Sequence, residues 1–101
     1  GRAVAVLGDM LELGGETAQA HRDIGVEAAR LGTDYLLTVG ALAADIAKGA
    51  LGEGMPADHV ITARDHGALA ERLRGILRKG DVVLLKGSRG ARMERVLEEL
   101  Q

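Results

Sequence analysis

The sequence lacks cysteine, phenylalanine and tryptophan, and its 101 residues include one tyrosine and one proline. The absence of cysteine excludes disulfide bonds and thiolate chemistry, and it fits a cytoplasmic protein. Because single-stranded nucleic acids are usually bound by stacking on aromatic side chains, that class of binder is disfavoured. The formal net charge of −2 gives no general attraction to nucleic acid or to anionic membranes. We therefore expect no nucleic-acid partner.

Long hydrophobic runs are also missing. No apolar run approaches the roughly 20 residues that a membrane-spanning helix requires, and no signal peptide is recognisable. We therefore expect no membrane insertion and a cytoplasmic location. The length predicts a single domain with a modest aliphatic core. Because the chain has no initiator methionine and its first predicted strand begins at about Arg2, we expect it to be a piece of a longer protein, incomplete on its amino-terminal side.

Four short apolar runs alternate with four amphipathic segments along the chain. Such alternation of strands and helices predicts a parallel sheet with right-handed crossovers and helices on both faces. The fold class is therefore α/β, a Rossmann-like three-layer α/β/α domain with a mainly parallel sheet. The predicted strands are residues 2–7, 35–39, 59–62 and 82–85, and the predicted helices are residues 18–31, 41–48, 66–78 and 91–100.

The first and fourth predicted strands are the most apolar, so we expect both to lie centrally, with the fourth buried on both faces. The predicted spatial order is third, second, first, fourth, which places the switch point between strands one and four. Ligands of open α/β sheets bind outside the carboxyl ends of the strands at such a point. We therefore expect residues 8–15 and 86–90 to face one crevice.

The loop Lys86–Gly90 follows the fourth strand and leads into the predicted helix at Ala91. Two cations, Lys86 and Arg89, and the hydroxyl of Ser88 at a helix N-terminus suit a phosphate or a carboxylate. The alternative is an ordinary charged turn after a strand.

The first loop carries Asp9 and Glu12, whose carboxylates are candidates for polar contacts to a nucleotide, a metal-bound water or a neighbouring domain. The alternative is a pair of ordinary exposed carboxylates. His21 lies on the inner face of the first helix, and we interpret it as a packed residue whose ring nitrogens bond the loop backbone, with direct ligand contact as the alternative. His59 and His66 have no second ligand at metal spacing, so a zinc site is not expected.

Two nucleotide-binding motifs are missing. The spacing of Gly8 and Gly15 is not that of a dinucleotide fingerprint. No Walker A loop occurs: in that motif the lysine follows a glycine, whereas Lys86 stands before Gly87. The sequence therefore supports neither NAD binding nor self-sufficient NTP hydrolysis.

Four stretches together resemble the C-terminal domain of the Mur ligases, in order and over essentially the whole chain. The most specific parts of the resemblance are Gly-Asp-Met-Leu-Glu-Leu-Gly and Lys-Gly-Ser-Arg-Gly. The stretches are Ala3–Gly14, His21–Gly25, Leu37–Gly40 and Gly80–Gly90.

The resemblance implies an ATP-dependent ligase of cell-wall precursor synthesis that forms an amide bond through an acyl phosphate. It implies ATP and Mg²⁺ as cofactors, bound mainly by a central ATPase domain that, like the UDP-sugar domain, is absent from this chain. Those two domains, UDP-muramyl tripeptide and D-alanyl-D-alanine are the implied partners. Residues 1–101 would then be the C-terminal domain, which closes over the central one and is inactive in isolation.

The resemblance also implies which residues contact substrate or nucleotide, without a catalytic residue in this chain. Two alternatives stay open: a stand-alone small-ligand or protein-binding module without catalysis, and a Mur ligase for a different amino acid. We also expect an uncovered sheet edge beside the fourth strand, which a strand preceding residue 1 would cover. The implied contact residues are Asp9, Met10, Glu12, His21, Lys86, Ser88 and Arg89.

Overall fold

A computed structural model of the chain describes residues 1–10 and 18–100. Strands and helices alternate as the apolar pattern predicts, and two short 3-10 helices, Ala57–His59 and Arg89–Ala91, are added. The strands are β1 (Ala3–Gly8), β2 (Tyr35–Val39), β3 (Val60–Ala63) and β4 (Val82–Lys86), and the helices are α1 (Ala18–Arg30), α2 (Ala43–Gly52), α3 (His66–Ile76) and α4 (Glu94–Leu100).

The strands described here form one parallel sheet in the order β3-β2-β1-β4. Val6 of β1 is in register with Leu37 of β2 on one side and with Leu85 of β4 on the other. The predicted fold class and strand order are confirmed. The chain steps outward from β1 to β3 and then returns to the far side of β1, so the switch point lies between β1 and β4.

The core has two apolar layers because successive residues of β1 point to opposite faces of the sheet. Ala5 and Leu7 pack with Ile46 on the face that α1 and α2 cover. Val4 and Val6 pack with residues of α3 and α4 on the other face, including Leu73 and Val96. The result is the expected α/β/α arrangement with an aliphatic core.

Helices α1 and α2 meet through two glycines. A Cβ atom on Gly25 would overlap the Ile46 carbonyl, and one on Gly49 would overlap the Arg22 carbonyl. The helix backbones are therefore in direct contact at both points. Helix α2 continues to Gly52, beyond the predicted end at residue 48, and Gly49 at this contact lies within it.

Strand β4 differs from the prediction of a central strand buried on both faces. It lies at the edge of the sheet with β1 as its neighbour, and Val82 and Leu84 are 68% and 58% exposed. That prediction is wrong because burial requires a covering layer. Within residues 1–10 and 18–100, nothing covers the face of β4 that carries Val82 and Leu84. The expected uncovered edge is confirmed, and the strand that would cover it stays a prediction.

The chain after β4 also departs from prediction, since α4 begins at Glu94 rather than at Ala91. Residues Arg89–Ala91 form a 3-10 helix, and Arg92 adopts the left-handed conformation with φ of 49°. The predicted helix therefore starts three residues late. Among the helices described, none is long and apolar enough to cross a membrane.

Charged and aromatic side chains join the strands at the amino end of the sheet. The Arg2 guanidinium donates to the Asp81 carboxylate at 2.8 Å and to the Ile76 carbonyl at 2.7 Å. It also lies 5.2 Å from the centre of the Tyr35 ring, which stacks on His59 with centroids 4.3 Å apart. These contacts tie β1 and β2 to the residues around β4.

Asp81 is the acceptor at the centre of this network. Its carboxylate takes hydrogen bonds from the Arg2 side chain and from the Arg78 N–H. The Arg2 guanidinium first, and then the Arg78 N–H, hold the pKa of Asp81 well below the ordinary value of 3.8. The carboxylate therefore contributes to stability as an anion.

Candidate functional site

The loops that follow β1 and β4 are joined directly at the switch point. Both the backbone N–H and the hydroxyl of Ser88 donate to the Asp9 carbonyl, at 2.9 and 2.8 Å. Ser88 is buried, and its hydroxyl proton is used inside the domain. The structure thus gives Ser88 a role in holding the two loops together, while its contact with a ligand stays a prediction.

The Asp9 side chain serves a third element, helix α2. Its Oδ1 atom accepts from the backbone N–H of Ala43, the first residue of α2, at 2.7 Å. Leu42, at the N-cap position, has no side-chain oxygen, so Asp9 supplies the acceptor from 34 residues earlier. Gly40, with φ of 116°, lies beside this carboxylate, where a Cβ atom would overlap it. A ligand contact by Asp9 stays a prediction, and the geometry adds a capping function that its spacing does not indicate.

His21 connects α1 to the first loop. Its side chain is fully buried, and its Nε2 atom accepts from the Met10 N–H at 3.0 Å. Because a backbone N–H can only donate, Nε2 must be unprotonated in this arrangement. The structure shows His21 as a packed residue that bonds the loop backbone, as interpreted, and its contact with a ligand stays a prediction. Met10 itself places its side chain in the core, and its predicted ligand contact is untested.

Met93, which sequence reasoning did not single out, packs against the glycines of both loops. A Cβ atom on Gly8 would lie 2.5 Å from the Met93 Sδ atom, and one on Gly87 would lie 2.7 Å from its Cγ atom. Met93 is itself buried. The two loops approach each other closely because these positions carry no side chain. In the sequence, this close contact is indicated only by the positions of Gly8 and Gly87 at the ends of β1 and β4.

The cationic residues remain at the surface of this junction. Lys86 ends β4 and is exposed, and no carboxylate among the described residues pairs with it. It also borders an apolar cavity of about 270 Å³ together with Leu7, Ile24 and Leu84. Arg89 is exposed as well, in the following 3-10 helix. The structure therefore places an ammonium and a guanidinium group three residues apart, beside the anchored Ser88.

The sequence predicts a helix N-terminus directly behind this loop, and that prediction is wrong. Since α4 starts at Glu94, the loop does not run directly into an α-helix. The helix dipole therefore does not support an anion at Ala91, and the case for anion binding depends on the side chains of Lys86 and Arg89.

Three further observations limit the site. Glu12 lies outside the described residues, as does most of the first loop. In residues 1–10 and 18–100, no group of three or more histidine, aspartate or glutamate side chains could hold a metal ion. A larger open cavity of about 710 Å³ lies beside Thr62 and the start of α3, and it contains none of the predicted site residues.

Together, the fold and the site define a Rossmann-like α/β domain with a basic loop at its switch point. The family described as "Mur ligase, glutamate ligase domain" matches residues 1–89, and the chain belongs to this family. The resemblance carried by the loops is confirmed.

The curated relatives include proteins named UDP-N-acetylmuramoyl-tripeptide–D-alanyl-D-alanine ligase. The Bacillus subtilis protein is 35% identical over 99% of this chain, and the Escherichia coli protein is 39% identical over 100% of it. The chain spans about a fifth of their length, 22% and 21%.

Two solved structures have the same fold. A MurF ligase from Thermotoga maritima in complex with ADP matches 99% of the chain with a TM-score of 0.77 and 30% identity. A MurF from Acinetobacter baumannii matches 99% with a TM-score of 0.82 and 28% identity. The chain covers 22% of each of those structures.

Proposed function

We propose that this chain is the C-terminal domain of an ATP-dependent ligase that adds D-alanyl-D-alanine to UDP-N-acetylmuramoyl-tripeptide. The observation that carries the proposal is that relatives with this name match the chain along its whole length at 35–39% identity. The product would be a precursor of peptidoglycan. The remaining domains of the enzyme would be its partners, and its location would be cytoplasmic.

In this function the basic loop holds an anion. The free carboxylate of D-alanyl-D-alanine and a phosphate of ATP are the two candidates, since both accept hydrogen bonds from ammonium and guanidinium groups. Lys86 supports this role because it is exposed and has no ionic partner in the described part of the chain. The two loops would be held in place by hydrogen bonds of Asp9, Ser88 and His21.

The chemistry has two steps. ATP, with Mg²⁺, would transfer its γ-phosphoryl group to the tripeptide carboxylate, which gives an acyl phosphate and releases ADP. The amine of D-alanyl-D-alanine would then attack the acyl carbon, so that the amide bond forms, the bond from the acyl carbon to the phosphate oxygen breaks, inorganic phosphate leaves and the amine nitrogen loses a proton. Lys86 fits contact with a phosphate, and Oδ1 of Asp9 accepts a hydrogen bond from a backbone N–H. As the resemblance to the family implies, the Mg²⁺ ligands would belong to the central domain.

A stand-alone binding module is not favoured, because the curated relatives named above are ligases. A different amino substrate within the family is a separate question. It is decided by assaying D-alanyl-D-alanine beside single amino acids with the full-length protein that contains this chain.

The test is ligation by that full-length protein with Lys86→Ala. We expect kcat/KM to fall about 100-fold, as for loss of a hydrogen bond to a charged group. The matched control is Lys79→Ala, because Lys79 is an exposed lysine in the turn before β4. It should keep wild-type kinetics.

Two results would count against the proposal. Wild-type kinetics in Lys86→Ala would remove the anion-contacting role of this loop. No ligation by the unsubstituted full-length protein, with any amino substrate, would overturn the function itself.

A further inference from the structure

His66 connects helix α3 to the segment that follows the basic loop. It is the first residue of α3, and its Nε2 atom lies 2.6 Å from the Ala91 carbonyl oxygen. A carbonyl oxygen only accepts hydrogen bonds, so Nε2 must carry the proton. The bond is partly buried and joins residues 25 positions apart.

This bond holds a segment that has little regular structure of its own. Residues Arg89–Ala91 form one 3-10 turn, closed by the Ala91 N–H to the Ser88 carbonyl at 2.9 Å. Arg92 follows in the left-handed conformation, which is uncommon for a residue with a side chain. A turn this short does not fix its own orientation, so contacts with other elements have to do so.

Two such contacts flank Arg89. Ser88 is bonded to the Asp9 carbonyl on one side, and Ala91 is bonded to His66 on the other. The first contact ties the turn to β1, and the second ties it to α3. With both bonds made, the backbone that presents Arg89 is held between the end of β1 and the start of α3.

We propose that His66 is a positioning residue for the basic loop: its Nε2–H, through the Ala91 carbonyl, sets where Arg89 meets the anionic substrate group. This role rests on the proposed function. His66 does not contact the anion itself. Substitution of His66 would therefore loosen the turn, while the basic side chains of Lys86 and Arg89 would still be present.

The chain offers a matched control in His59. The Nδ1 atom of His59 lies 2.9 Å from the Asp34 carbonyl oxygen, again 25 residues away, at the amino end of the sheet. His59→Leu and His66→Leu each remove one histidine-to-carbonyl hydrogen bond. Only the second bond lies next to the basic loop, so stability effects common to both variants can be subtracted.

The experiment uses full-length protein carrying His66→Leu, His66→Gln or His59→Leu. We expect His66→Leu to lower kcat/KM about tenfold, because misplaced binding groups reduce productive orientation. His66→Gln keeps an N–H donor and should recover most of this loss, and His59→Leu should match the wild type. The substrate whose KM rises, D-alanyl-D-alanine or ATP, identifies the anion that the loop contacts.

A second measurement does not depend on ligation. Amide hydrogen exchange across residues 87–93 should become at least tenfold faster in His66→Leu and stay unchanged in His59→Leu. The role of His66 would be overturned if amide exchange across these residues did not change, or if folded His66→Leu kept wild-type kinetics. It would also be overturned if His59→Leu lost as much kcat/KM as His66→Leu, or if His66→Gln did not recover the loss. If the wild type fails to ligate while His66→Leu exchanges faster, the anchoring by His66 stands and the proposed function fails.

Discussion

The two ends of the sheet use their polar groups in opposite ways. At the amino end, Arg2, Asp81, Tyr35 and His59 contact one another, so that charge and ring faces are satisfied inside the fold. At the carboxyl end, the loops are joined mainly through backbone groups, and the Lys86 side chain stays at the surface.

The difference separates side chains that stabilise the fold from a basic side chain that stays at the surface. A cation that is paired with a carboxylate, as Arg2 is, is not available to an incoming anion. At the carboxyl end the Asp9 carbonyl and the Ser88 amide and hydroxyl make the structural bonds instead. The Lys86 side chain makes none of these bonds. The comparison predicts that substitutions at the amino end change stability alone, and that substitutions behind the basic loop change both stability and ligation.

The largest expected effect is at Met93, whose side chain packs against Gly8 and Gly87. We expect Met93→Ala to lower the free energy of unfolding by about 2–4 kcal/mol, since it empties a buried site where both loops meet. Urea denaturation measures this loss. Leu97→Ala is the control, because Leu97 lies on α4, four residues after Met93, and is 49% exposed. Equal losses for the two variants would show that Met93 is not the packing centre of this end.

A smaller effect is expected at Asp9, which caps α2 through its side chain. Asp9→Ala should lower the free energy of unfolding by about 1 kcal/mol, the usual effect of losing a capping oxygen. Asp9→Asn keeps an oxygen at the Oδ1 position and should lose less. The same urea experiment measures both variants. An asparagine variant as unstable as the alanine one would argue against the capping bond to Ala43.

The smallest effect is expected for Asp81→Asn at the amino end, and it should depend on pH. Because Arg2 and the Arg78 N–H lower the pKa of Asp81 below 3.8 in the folded state, the unfolded chain binds more protons under acid conditions. The contribution of Asp81 is therefore complete above about pH 4 and decreases as the pH falls below that.

Urea midpoints measured from pH 6 to pH 2 test this prediction. The difference between wild type and Asp81→Asn should narrow with acid, and ligation at neutral pH should not change. The pKa of Asp65 is also lowered, chiefly by the Ala68 N–H, so the wild type alone does not isolate Asp81. A difference that is constant over this range would exclude the proposed linkage.

Much of the fold could be predicted because its signals are local. Short apolar runs predict the four strands, and the predicted order is correct although β4 lies at the edge of the sheet. His21 was interpretable for the same reason, since it lies on the inner face of a helix just after the loop that it bonds.

The features that could not be predicted depend on partners that are distant in the sequence. The exposure of β4 depends on whether another layer covers it. The apolar residues Val82 and Leu84 do not show whether such a layer is present. The bond from Asp9 to Ala43 spans 34 residues, and the bond from His66 to Ala91 spans 25. The late start of α4 follows from the left-handed Arg92, although the neighbouring residues suit a helix. In each case, a tertiary contact or an uncovered face decides the outcome.

The glycine crossing of α1 and α2 has a consequence for motion. Where backbones touch at Gly25 and Gly49, two helices have no layer of side chains that could slide or rotate to absorb displacement. His21 fastens α1 to the first loop, Asp9 fastens that loop to α2, and Ser88 fastens it to the basic loop. These hydrogen bonds join all of these parts directly to one another. We therefore expect that a rotation of the whole domain, as in the proposed ligase, would move the basic loop without changing the loop's own shape.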